Sequence, residues 1–440
     1  MPVYERGRGQ RRHIWEITVE GNALVIRHGK VGQKPETYRR EYHHASDAAG
    51  EVDRIIASRL ADGYTLVRDE PPPVPPAPRS EIERQLRANP DDVELALVLA
   101  DWLQQHGDPR GRLIVVQHEL ARQPRPELVA EERDLLTTHA AALLGELARY
   151  DRTVVRYAWK RGFLSDVRLA YDDAFPGDSV AEMLRIVCRR PDAPFIESLA
   201  LGMPDGEPDH MFDYVVEQLV ANARQLPRLS RLFIGDFMIG DEAEMSWTHL
   251  GDLAAVFPAF PRLTALTIQG GTFELGTIDA PALRELEIRT GGLAATAVRA
   301  ITEAALPSLE RLVLWFGSSA YGGGSVATDV VALVRAHERV RHLGICNAEF
   351  TDEACRLLAE MPIAARLVSL DLSRGTLTDD GAAALARGSY PQLATLDVRA
   401  NYLTPRGIAT LQAMCGETVE LRADAQRDAT DSERYPAVGE

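Results

Sequence analysis

Leu367-Val368-Ser369-Leu370-Asp371-Leu372 is followed, 26 residues further on, by Leu393-Ala394-Thr395-Leu396-Asp397-Val398. Both stretches read apolar-x-x-apolar-x-apolar. The same pattern stands upstream at Ile196, Leu199 and Leu201; at Leu229, Leu232 and Ile234; at Leu263, Leu266 and Ile268; and at Leu283, Leu286 and Ile288. It stands again at Leu309, Leu312 and Leu314 and at Val340, Leu343 and Ile345, with an earlier copy at Leu164, Val167 and Leu169 and a worn one ending at Val419 and Leu421. Alternation at the last positions predicts a short strand that turns its apolar side chains one way. From Leu164 the first positions are spaced 32, 33, 34, 20, 26, 31, 27 and 26 residues apart. Helices are expected in these intervals at 180–187, 211–221, 294–304, 326–336, 352–360, 380–386 and 406–414, while the 20-residue interval before Leu283 leaves room for little more than a loop. A unit of this size buries little alone and much by stacking on its neighbours. The expected class is α/β, with parallel strands backed by helices over residues 161–422.

The x positions of each strand face away from the apolar layer. They carry Arg231 and Phe233, Arg284 and Glu287, Arg311, Arg341 and His342, Asp371 and Asp397, with Trp315 beside them. Aromatic and arginine side chains are the usual anchors at an interface, so these residues form the expected protein-binding surface. Phe233 and Trp315 have a second reading, as fillers of gaps in an irregular array.

Upstream, residues 81–160 read as helices. Ser80-x-x-Glu83 and Asp91-x-x-Glu94 have capping-box spacing. Leu95, Leu99, Trp102 and Leu103 form an apolar stripe, Gly107 stops that helix, and Pro109 starts another carrying Leu113, Val116 and Leu120. A long helix is expected at 126–148. Residues 1–68 read as strands at 13–20, 23–28 and 37–42, with a hairpin turn at Gly21-Asn22. A helix follows from Ser46 to residue 62, presents Val52, Ile55, Ile56 and Leu60 on one face, and stops at Gly63. Between these two regions, residues 69–80 hold six prolines in twelve positions, the composition of an extended spacer.

Three of these segments resemble known families. Trp15-Glu16-Ile17, Gly21, Arg27-His28-Gly29-Lys30-Val31-Gly32, Ala48-Ala49 and Gly63-Tyr64 follow the order of the WGR domain, with His28 and Lys30 where that family has tryptophan and arginine. In the poly(ADP-ribose) polymerases this domain contacts DNA, and the resemblance implies a small α+β binding unit at 1–68. Asn89-Pro90-Asp91-Asp92, Leu99-Ala100-Asp101-Trp102-Leu103, Gly107-Asp108-Pro109-Arg110-Gly111 and Trp159-x-Arg161-Gly162-Phe163 are similar to the repeat-companion domain, a bacterial module found beside leucine-rich and other repeats. That likeness implies a helical cap on the strands. The strands themselves resemble the leucine-rich repeats of ribonuclease-inhibitor-like horseshoes, a solenoid with parallel strands on the concave side and helices on the convex side. The asparagine that this family places after the strand is present at Asn401, while Gly317, Ala348 and Gly375 stand there in other units.

Charge separates the two ends. The 440 residues carry a net charge of −16. Residues 1–80 hold 13 Lys and Arg against 11 Asp and Glu, a net of +2, which leaves −18 on the rest. An acidic array is a poor partner for phosphates, so a protein or peptide is the ligand expected there. The basic cluster Arg6, Arg8, Arg11, Arg12, Arg27, His28, Lys30, Lys34, Arg39 and Arg40 interleaves with Trp15, Tyr38 and Tyr42, the ingredients of a nucleic-acid surface. Arg11, Arg12, Arg27, His28, Lys30 and Lys34 are its expected contacts. The competing reading puts Trp15 in the core and leaves the arginines as a solvated face.

No catalytic set stands out. Tyr321-Gly322-Gly323-Gly324-Ser325 lacks the Lys-Ser/Thr of a phosphate loop, His118-Glu119 lacks the second histidine of a zincin, and His43-His44 would point to opposite sides of a strand. Cys188, Cys346, Cys355 and Cys415 are scattered and are expected as buried apolar side chains. Asp91-Asp92 and Asp379-Asp380 stand at expected helix starts, where carboxylates satisfy free N–H groups. Neither a metal nor a cofactor is expected. With no apolar run of membrane length and no leader-like apolar core, a cytoplasmic location is expected. The function expected is a non-catalytic scaffold that binds a protein or peptide on the strands. The alternative is a nucleic-acid sensor or regulator in which residues 1–68 bind and the repeats recruit an effector. Residues 423–440 are expected to be a polar tail that frays.

Overall fold

Apolar alternation in the first 68 residues produces β1 (Val3–Arg6), β2 (His13–Glu20), β3 (Ala23–Lys30), β4 (Glu36–Glu41) and β5 (Thr65–Arg68), with α1 (Ala45–Ala61) between the last two. In this computed structural model the chain divides into two units, Met1–Gln85 and Leu86–Glu440. The structure describes residues 3–6, 13–20, 23–30, 35–42, 45–68, 78–175, 177–207, 210–431 and 433–439. The Gly21-Asn22 turn, the His43-His44 pair, most of the proline spacer, and Arg11, Arg12 and Lys34 lie outside the described residues.

In the first unit the strands are ordered β4-β3-β2-β1-β5 and every junction is antiparallel. α1 lays Val52, Ile55 and Ile56 against a core of Tyr4, Trp15, Ile17 and Leu24. Leu60, expected on the same face, is 47% exposed. Trp15 is 1% exposed, so it belongs to the core and has no face left for a base to stack on.

The division between the units falls within α2 (Pro78–Ala88). The second unit continues with α3 (Val93–Gln105), α4 (Pro109–Arg122), α5 (Pro126–Thr138) and α6 (Ala140–Leu144). Asp92 and Asp108 cap α3 and α4, accepting the N–H groups of Leu95 and Arg110 at 2.9 Å each. The long helix expected at 126–148 is broken at His139 and ends in a 3-10 turn, Gly145–Arg149, entered through Gly145 at φ +56°.

A hairpin of β6 (Val155–Lys160) and β7 (Phe163–Leu169) follows. Its turn residues Arg161 and Gly162 both have positive φ, the conformation that matches strand twist in a two-residue turn. The Gly162 N–H donates to Gln117 Oε1 at 2.7 Å, which fixes the hairpin to α4. Asp192, with no exposed side chain, lies 2.8 Å from Arg190 and 3.4 Å from Arg110 of α4, and Arg190 also donates to the carbonyls of Leu143 and Leu144. The helical segment is thus held to the strands by a buried charge cluster as well as by apolar packing.

The chain then alternates between strand and helix: α7 (Val180–Arg189), β8 (Ser198–Leu201), α8 (Asp213–Ala221), β9 (Arg231–Ile234), β10 (His249–Asp252), α9 (Val256–Ala259), β11 (Ala265–Gln269), β12 (Thr272–Glu274) and β13 (Glu285–Arg289). It continues through α10 (Ala295–Thr302), β14 (Arg311–Gly317), α11 (Ala327–Ala336), β15 (His342–Ala348), α12 (Thr351–Ala359), β16 (Ser369–Asp371), α13 (Asp379–Leu385), β17 (Thr395–Asp397), α14 (Pro405–Cys415) and β18 (Glu420–Arg422). β10 and β12 pair apart; the remaining strands from β6 to β18 form one eleven-stranded sheet in chain order, parallel from β7 onward. The result is a mixed α/β fold with a large, mostly parallel sheet.

The quoted pattern sets its register. Leu199, Leu232, Leu266, Leu286, Leu312, Leu343, Leu370 and Leu396 stand side by side across the strands, each at most 3% exposed. They share one core with Val298, Val330, Leu333, Leu358 and Leu385 of the helices. One face of the sheet is therefore closed by helices, and the other carries the x positions. All four cysteines are buried, and burial raises their thiol pKa values, that of Cys188 to about 12. Among the described residues no helix is long and apolar enough to cross a membrane.

The described residues after β18 are tied to the rest of the unit rather than frayed. The Arg427 N–H donates to the Asn401 carbonyl at 2.7 Å, its Nη2 donates to the Gly375 carbonyl at 2.8 Å, and its guanidinium lies 4.2 Å from the Tyr402 ring centre. Pro436 is buried, and the Ala437 N–H donates to the Arg374 carbonyl at 2.8 Å. Polarity alone predicted a loose end; carbonyls left free at the strand ends supply partners for it.

Candidate binding surface

Three rows of side chains cross the open face of the sheet, because parallel pairing places equivalent positions side by side. The row at the strand starts contains Arg231, Glu285, Arg311, His342 and Ser369. The middle row contains Phe233, Thr267, Glu287, Val313, Gly344, Asp371 and Asp397. The third, at the strand ends, pairs Gln269 with Arg289 and Trp315 with Cys346.

On the strand-start side Arg231, Arg284 and Arg311 are each paired with a carboxylate. Arg231 lies 3.0 Å from Asp166, and Arg284, just before β13, lies 3.2 Å from Glu310. Arg311 reaches Glu287 at 3.6 Å, and Arg341 donates to Gln392 at 2.8 Å. His342 stands 2.9 Å from the Ser369 hydroxyl. Burial, then the neighbouring Arg311 and Arg341, hold its pKa below the ordinary histidine value.

The second and third rows build a pocket of about 360 Å³ lined by Phe237, Ile239, Gln269, Glu287, Arg289, Val313, Trp315, Asp371, Ser373, Arg374 and Arg399. Its apolar wall is one cluster in which Phe237, Ala243 and Met245, from the segment after β9, pack on Val313, Trp315 and Cys346. Its polar wall holds three guanidinium groups. Arg289 lies 2.8 Å from Glu287, and Arg399 lies 2.6 Å from Asp397. Arg374 lies over the Trp315 ring, 5.3 Å from its centre, and among the described residues has no carboxylate within ion-pair distance. A cation over an indole face beside an apolar wall can hold an acidic group and an aliphatic side chain together. A larger depression of about 670 Å³, beside Val129, Leu136, Tyr157 and Trp159, gathers none of the expected residues.

Of the ten residues expected from the sequence, Glu287, Trp315 and Asp371 line this pocket. Asp397 is 5% exposed and is occupied by Arg399, while Phe233 is half-buried with the Arg289 guanidinium 5.5 Å from its ring centre. Arg231, Arg284, Arg311, Arg341 and His342 belong to the strand-start side, away from the pocket lining. Phe316, adjacent to Trp315, points into the helix-side core at 2% exposure, as alternation requires. The sequence reading missed Arg289, Ser373 and Arg399, yet each lies two positions beyond an x position that was read, so extending the alternation by one step finds them. Phe237 and Ile239 come from a segment without periodicity.

In the first unit Arg27, His28 and Lys30 are exposed. His28 pairs opposite Trp15 and Lys30 opposite His13, so both share the face of Trp15, while Arg27, opposite Glu16 and Thr37, lies on the other face. The three are therefore not gathered into one patch.

No protein-family model and no curated protein matches the chain. Among solved structures, the crystal structure of a Bacteroides fragilis protein is similar at a TM-score of 0.52 and 21% sequence identity, over 99% of this chain and 98% of that one. Similarity at that identity concerns the fold alone.

Proposed function

We propose that this chain is a non-catalytic interaction scaffold. In this reading the second unit is a leucine-rich-repeat solenoid whose open, concave sheet face takes a protein or peptide. The helical segment 81–160 is its cap, and the WGR-like residues 1–68 are a second binding head. The observation that carries the reading is the pocket in which Trp315, Arg374 and the Phe237 wall meet: aromatic and guanidinium anchors beside apolar surface are what protein recognition uses. Arg374 is exposed, so reversing its charge leaves the core alone.

The test is affinity capture from the native host with the full chain and with Arg374→Glu, with and without nuclease, read by mass spectrometry. A protein partner that survives nuclease and is lost with Arg374→Glu supports the reading. Partners that vanish with nuclease and ignore Arg374→Glu favour the second reading, in which exposed Arg27, His28 and Lys30 contact DNA or RNA. That reading predicts an affinity for nucleic acid that falls steeply with salt.

A further inference from the structure

The sheet's open face is already touched by a peptide segment, and that segment is the chain itself. After β18 the backbone returns across the strand ends, meeting Gly375 and Tyr402 at residue 427, Arg374 at residue 437, Asn347 at residue 438 and Gly291 at residue 439. We infer that the groove formed by Asn347, Gly291, Tyr321 and the Trp315 cluster is a recognition site for an extended peptide with a β-branched aliphatic residue followed by glycine. Residues 435–439 fill it in cis and are displaced by such a partner. The inference rests on the scaffold reading for the existence of a partner, and adds the partner's chemistry.

Asn347 carries the argument. It is fully buried and has φ +52°, a left-handed conformation that asparagine tolerates better than most residues. Its Nδ2 donates to the Val438 carbonyl at 2.5 Å, and its Oδ1 accepts the Val438 N–H at 2.9 Å. One amide thus reads both backbone groups of one residue, as a neighbouring strand would in β-augmentation. The Ala437 N–H adds a bond to the Arg374 carbonyl. These contacts hold backbone, so they are open to any extended segment.

Selectivity comes from the two side-chain positions. Val438 packs against the cluster of Trp315, Val313, Cys346 and Phe237. The next residue passes through a narrow slot: a Cβ on Gly291 would lie 2.1 Å from the Gly439 carbonyl oxygen, and a Cβ on Gly439 would lie 2.3 Å from the Tyr321 ring, which would have to swing aside. The segment belongs to no helix or sheet, and a handful of backbone bonds can open locally far more easily than the sheet beneath them. Leaving, it would open the Asn347 amide to water, and a segment of the same backbone shape can take up both of its bonds again.

The experiment uses the chain with residues 433–440 deleted, its fold checked by circular dichroism and melting, and the labelled peptide Tyr-Pro-Ala-Val-Gly-Glu added in trans with anisotropy as the readout. The deleted chain should bind the peptide at least about tenfold more tightly than the full chain, whose site is filled. Asn347→Gly, which keeps the backbone conformation, and Gly291→Ala in the deleted chain should each weaken binding by about tenfold or more. Peptides with aspartate for valine, or valine for glycine, should fail. A folded deletion chain that ignores the peptide overturns the inference while leaving host capture, and with it the scaffold reading, to stand or fall separately. Should the deletion not fold, hydrogen exchange of residues 433–439 in the full-length Gly291→Ala chain decides: faster exchange there alone supports the site, and unchanged exchange overturns it.

Discussion

Asp379 accepts the backbone N–H of Thr404 at 3.0 Å and its hydroxyl at 2.6 Å, and one unit earlier Asp352 does the same for Thr378 at 2.8 and 2.6 Å. Each threonine is the N-cap of the next helix, so a carboxylate in the first turn of one helix holds the start of its neighbour. Hydrogen bonds to a charged group are worth about 1.5–3 kcal/mol when partly buried. Asp379→Ala should therefore lower the unfolding free energy by about 2 kcal/mol. Asp380→Ala, at the exposed adjacent position, should cost only a few tenths. Urea midpoints of the two variants compare them directly; equal losses would mean that Asp379 merely caps its own helix.

Removing Asp192 should be worse. Its carboxylate is fully buried between Arg190 and Arg110. Asp192→Ala leaves two guanidinium groups with their buried acceptor gone, a change that typically costs about 3–5 kcal/mol. The damage should be local first. Hydrogen exchange in α3–α5 is expected to accelerate before exchange in β11–β17 does, because Arg110 and the carbonyls of Leu143 and Leu144 belong to the helical segment. Uniform acceleration across the unit would contradict the view that this cluster is the fastening.

Much of this fold was legible because its determinants are periodic. The triads from Leu164 to Val398 name the strands and their buried face, and the intervals between them name most of the helices, since burial by stacking demands the same residues in each unit. Helix starts were legible only to within a residue or two: the cap of α3 is Asp92 and not Asp91, Ser80 lies inside α2, and Asp108, the cap of α4, was not read as one. The break at His139 was harder to read: Thr137, Thr138, His139 and Gly145 are weak helix formers, but the apolar period of Leu128, Leu135, Leu136, Leu143 and Leu144 runs across them. For the pocket, the strand residues Glu287, Trp315 and Asp371 follow from alternation, whereas Phe237 and Ile239 arrive on an irregular segment whose path is set by contacts distant in sequence. The docking of Arg427, Tyr435, Ala437 and Val438 had no sequence signal, because their partners are backbone carbonyls, Tyr402 and one asparagine, Asn347, that alternation does not mark.

Acidification should weaken the strand-start row through His342. Burial, then Arg311 and Arg341, depress its pKa in the folded chain, outweighing Glu285 and Glu310, which act in the opposite sense. In the unfolded chain the imidazole takes a proton near the ordinary value of about 6.5. The unfolded state therefore binds protons first as pH falls. The contribution of His342 to stability is intact above about pH 6.5 and is lost progressively below it, down to the depressed folded value. His342→Gln should flatten the fall in urea midpoint between about pH 7.5 and 5.5. A wild-type chain that lost no more stability than His342→Gln over that range would show that the histidine is not the titrating group.

Asn401 supplies the sharpest stability contrast. It is fully buried; its Nδ2 donates to the carbonyls of Leu372 at 2.9 Å and Val398 at 3.0 Å, and its Oδ1 accepts the Leu377 N–H at 2.9 Å. One side chain thus ties the end of its own strand to the loop of the unit before. Thr351, at the start of α12 after β15, does a smaller version of the task on the same loop, accepting the Thr376 N–H at 3.1 Å and donating to the Ala348 carbonyl at 2.7 Å. Asn401→Ala leaves the Leu372 carbonyl and the Leu377 N–H without their side-chain partner, while Gln426 still donates to the Val398 carbonyl at 2.8 Å; at about 1–3 kcal/mol for each unsatisfied group the loss should reach about 2 kcal/mol or more. Thr351→Val keeps the volume and strands neither group, because the Thr376 N–H also donates to the Ala348 carbonyl at 3.1 Å and the Thr376 hydroxyl donates to the same carbonyl at 3.2 Å, so a loss of about 1 kcal/mol or less is expected. Chemical denaturation of both variants at one pH measures the difference. If Thr351→Val proved the costlier, the side chain that joins these units would be the threonine, and the asparagine only a filler of its cavity.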